Sequence, residues 1–417
     1  MAFAAQRLHC HQLSLVLRPC QGLVQAQRGL LSAALRVDRE KPEPWPYKER
    51  GYNFLHRKLD FTLKRIDDSS KFIVIEGNIG TGKSTLAKTI AKEFDFHHIP
   101  EPTMDDILIN SYGKDQRDLY DELPERFRYF DIKMFYENPR HVNVAQFQWF
   151  MYYMKYENYL NALAHILNTG QGVVMERSPY SDRVFFEAMY KKGCFSHEFF
   201  DWFNRLKAHV EPFMRLKPHL YIYLDCPPEK CLENIRKRNI PYEVNSEIMD
   251  LEYLDNMAKS YKKVLKEVHD VSAVAVYDWS NFGDPEVVCE DIEAMDLGDH
   301  FDWHEGDRFE SWHERLHDQY WWNRKRWAIT NKHSMGYFQF PCWDCAEMLY
   351  HPLDREKAEE ILAYKNYGKY AADWNPEKDG FWTVLLSHAP NRTTRKEWYE
   401  HYFKDEYSMH LTAELGG

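Results

Sequence analysis

No stretch of this sequence approaches the roughly 18 to 20 consecutive apolar residues that a bilayer-spanning helix needs. Any tie to a membrane therefore runs through a partner. Cysteine is sparse too: the eight residues at 10, 20, 194, 226, 231, 289, 342 and 345 are too few and too scattered for a disulfide framework. Reduced thiols are expected, and Cys342-Trp-Asp-Cys345 is a lone CxxC without a second pair at zinc-ribbon spacing. Acidic residues are missing from the first 37 positions, where Arg7, Arg18, Arg28 and Arg36 stand with no Lys, Asp or Glu. A tail of that kind, rich in Leu, Ala, Gln and Ser and lacking a compact apolar h-region, has the composition of a mitochondrial transit peptide and not of a secretory signal. An untargeted tail is the alternative.

The overall charge of -11 combines +4 on that tail with -15 on the rest of the chain, and such a body repels nucleic acid unless its basic residues cluster. With 44% hydrophobic residues over 417 positions, the chain can bury a large core, and its length predicts one substantial domain plus an appendage. Residues 38–70 are Pro-rich and charged, as an ordered arm would be. From Lys71 onward, short apolar runs alternate with longer stretches of helical spacing. FIVIE at 72–76, HHIP at 97–100, GVVMER at 172–177, HLYIYLD at 219–225 and AVAVYD at 273–278 are five candidate strands. Alternation predicts an α/β domain over 71–296 with a parallel five-stranded sheet flanked by helices, and a ligand crevice at the carboxyl ends of the strands. Past residue 296 the texture changes, since 297–417 holds Trp303, Trp312, Trp321, Trp322, Trp327, Trp343, Trp374, Trp382 and Trp398. Aromatics at that density predict an extension that orders against the body or docks on another protein.

The strongest chemical signal is Gly77-Asn78-Ile79-Gly80-Thr81-Gly82-Lys83-Ser84-Thr85, a phosphate-binding loop with a strand before it and a helix after it. Gly77, Gly80 and Gly82 let the backbone close on phosphate oxygens, and the N–H groups of the helix N-terminus face the anion. Lys83 would reach the outer phosphates, while Ser84 or Thr85 would help hold magnesium. Glu101, after the second strand, stands where a base for an attacking hydroxyl belongs, although Glu-Pro is also an ordinary helix-start feature. In MERSPYSDR, Glu176 can orient magnesium and Arg177 or Arg183 can bind phosphate oxygens, or these can be solvated turn charges. Arg236, Lys237 and Arg238 read as a phosphate lid or as an exposed helix end. His313-Glu314-Arg315-Leu316-His317 satisfies HExxH, but its surroundings are polar and no third histidine follows at metzincin spacing, so a histidine pair on a docking helix is expected there.

The loop, Glu101-Pro102, Tyr136 in MFYENP, Phe147-Gln148, the E-R-S triplet at 176–178 and the IRKR segment occur in an order that resembles mitochondrial and insect deoxyribonucleoside kinases, over roughly residues 71–280. That resemblance implies a purine nucleotide, ATP, ADP or a deoxynucleotide, with Mg2+, and substrate contacts from Tyr136, Gln148 and Arg177. Glu101 resembles the family's general base, Gln148 its base-reading amide, Tyr136 a sugar-hydroxyl contact and Arg177 the phosphate-side arginine. Two features depart from the pattern: the charged insert DILINSYGKDQRDLYDELPERFRYFDIK after Glu101, and a lid that continues as NIPYEVNSEIMD, poor in arginine. Transit-like tail, kinase-like body and Trp-rich extension together resemble an accessory-subunit family of respiratory complex I. This implies a structural role on the matrix side of the inner membrane, with complex I subunits as partners and electron transfer done by others. An active mitochondrial deoxynucleoside kinase is the rival, because Lys83, Glu101 and Arg177 are kept. FAD is associated with that subunit family, yet the glycines at 77, 80 and 82 follow the mononucleotide loop and not the dinucleotide fingerprint.

Overall fold

The computed structural model describes residues 30–33, 41–48, 52–53, 55–109, 113–298, 301–302, 306–315 and 318–364. Most of the transit-like tail, and Trp303, Trp374, Trp382 and Trp398 of the extension, lie outside them.

Five strands form one parallel sheet: β1 (Phe72–Gly77), β2 (His97–Ile99), β3 (Val173–Glu176), β4 (Leu220–Asp225) and β5 (Ala273–Asp278), in the order β2-β3-β1-β4-β5. The five expected runs each become a strand. All six residues of β1 are buried, as an uninterrupted apolar run in the middle of a parallel sheet should be. β1 pairs with β3 through Phe72 to Val173 and Ile75 to Glu176, and with β4 through Ile73 to Leu220 and Gly77 to Leu224. The chain leaves β1 for the sheet edge at β2 and later crosses from β3 to β4, so the strand order reverses around β1. A crevice opens at such a switch point, outside the carboxyl ends of the strands.

The helices that follow are α1 (Lys83–Glu93), α2 (Val144–Thr169), α3 (Asp182–Lys191), α4 (His197–Val210), α5 (Pro228–Arg238), α6 (Leu251–His269), α7 (Pro285–Ala294), α8 (Gln319–Thr330) and α9 (Pro352–Tyr364). Local chemistry sets several starts. Ser196 accepts from the Phe199 N–H ahead of α4, and Asp250 accepts from the Tyr253 N–H ahead of α6, each satisfying a donor that the first turn leaves open. α2 is buried on nearly every side, because the sheet covers one face and the C-terminal extension another. No helix among the described residues is long and apolar enough to cross a membrane.

The described part of the extension packs on the body. Phe338 sits among Trp149, Tyr152, Tyr153 and Tyr156 of α2, with ring centroids 5.0 to 6.3 Å away. Trp312 donates from its indole to the Lys217 carbonyl at 2.6 Å and lies against His219. Phe309, Trp312, Trp322, Phe338 and Met348 belong to the same core as the sheet. Of the described tryptophans in this segment, Trp322 and Trp312 are buried and only Trp343 is well exposed. Among the described residues, the kinase-like body itself therefore covers Trp312, Trp322 and Phe338 of this segment.

Arm and extension also lock to each other. Asp60 of the arm takes the Arg65 guanidinium at 2.8 Å and that of Arg326 in α8 at 3.0 Å. Arg326 also donates to Asn168 at the end of α2 and lies over the Tyr52 ring. In the insert after Glu101, Arg117 gathers Asp105, Asp115 and Asp131. Leu123 and Phe127 of that insert form a second small core with Tyr350, Ala358 and Leu362, so insert and extension cover one another.

Cys342 and Cys345 are buried in a turn where the Cys345 N–H bonds the Cys342 carbonyl, beside the Pro341 carbonyl that accepts the Trp202 indole. Burial pushes their thiols up to about 12 and about 11. No cluster of His, Cys, Asp and Glu among the described residues is arranged to hold a metal. The HExxH segment is not one helical face: the helix Glu310–His313 stops at its first histidine, Arg315 has a left-handed backbone, and His313 bonds Asp307 at 2.6 Å. Leu316 and His317 lie outside the described residues. The expected histidine pair on a docking helix is thus corrected, because the chain turns where that helix would have to continue.

Candidate functional site

β1 ends at Gly77, and the chain turns through the loop into α1. Gly80 and Gly82 have φ of 78° and 81°, a left-handed backbone that a side chain disfavours. A Cβ at Gly82 would also stand 2.8 Å from the Phe282 ring, which covers this end of the loop. At Gly80 the close neighbours are Cys231, Ile235 and Asn234 of α5, and Asn234 bonds the Gly80 carbonyl at 3.0 Å. Asn78 braces the loop from within, its amide donating to the Leu254 carbonyl at 2.9 Å and its side-chain oxygen accepting from the Ile79 N–H.

Lys83, the first residue of α1, folds back to the Asn78 carbonyl at 2.7 Å and the Thr81 hydroxyl at 3.3 Å. Burial, with the Arg177 charge adding to it, brings its amine down to about 7. The Ser84 hydroxyl donates to Oε2 of Glu176, and His98 bonds Oε1 of the same carboxylate at 2.8 Å. Burial alone would raise Glu176, but these two hydrogen bonds outweigh it and hold the carboxyl below its usual range. A glycine loop, a helix N-terminus, an ammonium and a hydroxyl–carboxylate pair are the donor set that a phosphate chain with a hard cation requires, so the residues fit a magnesium nucleotide. Ser84 and Glu176 are the residues that would hold the cation. Thr85 is exposed in the first turn and bonds Gly82 through its backbone.

Beyond the loop, Arg177 donates from Nε to Oε2 of Glu101 at 2.8 Å and from Nη1 to the Tyr261 hydroxyl at 2.7 Å. Burial would raise Glu101, but Arg177, Lys155 and Lys83 together keep it below 4.5. Gln148 and Lys155 both bind the buried carboxylate of Asp182, at 2.7 and 2.8 Å. Lys155 also stands 4.0 Å from Glu101. Tyr136 is buried, stacked toward Tyr242 at 6.3 Å, and burial raises its hydroxyl with the Glu243 charge adding to the effect.

The fold thus brings together Lys83, Ser84, Glu176, Glu101, Arg177 and Gln148. It turns Arg183 away to Glu187 and Glu267. Arg236 is exposed, Lys237 pairs with Glu233 and Arg238 with Glu243 at 2.5 Å. Sequence reasoning missed His98, Lys155, Asp182, Tyr261 and Glu243. Lys155 was within reach: it follows Gln148 by seven residues, two helical turns, and so shares its face.

The family model described as deoxynucleoside kinase matches residues 73–329. A mouse protein, NADH dehydrogenase [ubiquinone] 1 alpha subcomplex subunit 10, mitochondrial, is 35% identical over 272 residues, 64% of this chain and 74% of its own. Deoxyguanosine kinase of Dictyostelium discoideum is 30% identical over 55% of this chain and 72% of its own. Among solved structures, deoxyadenosine kinase from M. mycoides with bound dCTP aligns at a TM-score of 0.40 and 18% identity, covering 54% of this chain and 100% of that one. With well over half of its length matched by that family model, the chain belongs to the deoxynucleoside kinase family.

Proposed function

We propose that this protein is an accessory subunit of mitochondrial respiratory complex I. It carries no electrons itself, contributes to assembly or stability on the matrix side of the inner membrane, and keeps a P-loop that holds a purine nucleotide with Mg2+. The observation that carries the reading is the similarity to the mouse alpha subcomplex subunit over 74% of that protein. Supporting it, an arm and an extension are wrapped around the kinase-like body and share its core. The loop has the mononucleotide form, and a flavin has no part in the reading. Docking of residues beyond 364 on other subunits belongs to the same proposal.

Two measurements test it. A tagged chain should comigrate with complex I on native gels, and loss of the protein should lower the amount of assembled complex. A tagged chain that reaches mitochondria yet migrates free of complex I overturns the assignment. For the nucleotide, ADP with Mg2+ at about 100 times its dissociation constant should add about 2.7 kcal/mol to stability. Lys83→Ala should weaken that shift. An unchanged melting temperature across ATP, ADP and deoxynucleotides, in protein freed of copurified nucleotide, counts against it.

An active deoxynucleoside kinase is the second reading, favoured by the linked Glu101, Arg177, Lys155, Asp182 and Gln148. Here Glu101 would take the proton of a 5'-hydroxyl as it attacks the gamma phosphate of ATP. Phosphorylation of deoxynucleosides that Glu101→Gln abolishes, with nucleotide binding intact, would establish this reading.

A further inference from the structure

β2 carries two consecutive histidines, and the alternation of a strand sends them to opposite faces. His97 stacks on His165 of α2, with ring centroids 4.3 Å apart. His98 goes the other way. Its backbone is paired with Val174, and Glu176 lies two residues further along β3 on the same face, a diagonal that two long side chains can span. There Nε2 of His98 meets Oε1 of Glu176 at 2.8 Å, while the other oxygen of the same carboxylate receives the Ser84 hydroxyl. His98 is a residue that neither the loop motif nor the E-R-S triplet contains.

We propose that His98 is a positioning residue for the divalent cation: by holding Oε1 of Glu176 it aims Oε2 at Ser84, the edge where carboxylate and loop hydroxyl would share the metal. The inference rests on the nucleotide-binding reading. Its physical basis is that magnesium demands near-ideal geometry and takes few protein ligands, so a carboxylate free to rotate is a poor partner for it. An outer partner that fixes the ligand's orientation carries much of the metal affinity. A purely structural histidine would be worth the same to the fold with or without metal. A positioning histidine acts on the metal-linked part of binding and on nothing else.

The test uses the full chain and compares wild type with His98→Val, which suits a strand, and His98→Gln, which keeps an N–H donor. ADP binding is measured by calorimetry in EDTA and in excess MgCl2, and Mn2+ binding in the presence of ADP by electron paramagnetic resonance. Wild type should bind ADP more tightly with Mg2+. His98→Val should lose about 10- to 100-fold in Mn2+ affinity while its ADP affinity in EDTA stays unchanged. His98→Gln should recover part of the loss. Ser84→Ala keeps His98 and removes the hydroxyl, and should lose metal affinity too; it carries the test of the shared edge should His98→Val fail to fold. Mn2+ bound as tightly by His98→Val or by His98→Gln and Ser84→Ala together as by wild type overturns the inference, as does wild-type ADP binding that is equal in EDTA and Mg2+. Wild type that binds neither ADP nor Mn2+ overturns the nucleotide reading along with it.

Discussion

Arg177 donates to Glu101 at 2.8 Å from a backbone held at φ 60°, a left-handed conformation that costs a non-glycine residue about 1–3 kcal/mol. The surroundings hold it there: the Arg177 N–H bonds the Ile75 carbonyl at 3.0 Å, and the guanidinium reaches Tyr261 and lies over the Phe185 ring. The strain aims a buried positive charge from the end of β3 across to the end of β2.

Removing the charge of Glu101 should therefore destabilise the fold. Glu101→Gln leaves the buried Arg177 without its carboxylate, a change that costs about 3–5 kcal/mol for a fully buried pair. The Glu101 side chain is 33% exposed, so solvent reduces this to about 1–3 kcal/mol. The folded state holds Glu101 below 4.5, so its contribution is present above that pH and is lost as pH falls through the folded value. Urea melts from pH 7 down to pH 3 should show wild type and Glu101→Gln converging below about pH 4.5. A gap that stays constant over that range would count against the ion pair as its source.

Asp60 neutralises both Arg65 and Arg326, and the Arg326 side chain is fully buried. Asp60→Asn should cost about 3–5 kcal/mol in denaturant melts, because it strands a buried guanidinium. Arg326→Met removes charge and guanidinium together and should cost less. Equal losses for the two variants would mean that packing, not charge, joins arm to extension.

Phe338→Ala should cost about 3–5 kcal/mol by emptying the aromatic nest on α2. Deletion of residues 297–417 strips Trp312, Trp322 and Phe338 from the core, so the remainder should lose its cooperative melt. A cooperative, nucleotide-responsive fragment ending at 296 would show that the extension is dispensable for folding.

At Gly82 two obstacles meet a side chain, the backbone at φ 81° and the Phe282 ring at 2.8 Å. The ring is largely exposed and can swing away, whereas the left-handed backbone costs about 1–2 kcal/mol regardless. Gly82→Ala should lose about that much stability, and Phe282→Ala in the same chain should restore little of it. Full restoration would identify the ring as the obstacle.

The sheet and the loop were legible in the sequence because both are written in consecutive residues. β5 begins and ends where AVAVYD does, and the other strands differ from their apolar runs by a residue or two; in β1, β3 and β4 burial on both faces leaves an unbroken hydrophobic signature. For Arg236, Lys237 and Arg238 the sequence left a phosphate lid and an exposed helix end both open; in the fold all three are exposed at the end of α5, with Lys237 paired to Glu233 and Arg238 to Glu243. What covers the tryptophans was open between the body and another protein, and tertiary structure decided it for residues up to 364. It decided as well that Asp182 takes Gln148 and Lys155, that His98 takes Glu176, and that Asp60 takes Arg326 across more than 260 positions of chain. Local propensity and periodicity reach only a few residues along the chain. A buried charge accepts whichever partner the crossovers of the sheet deliver, and that choice exists only once the chain has folded.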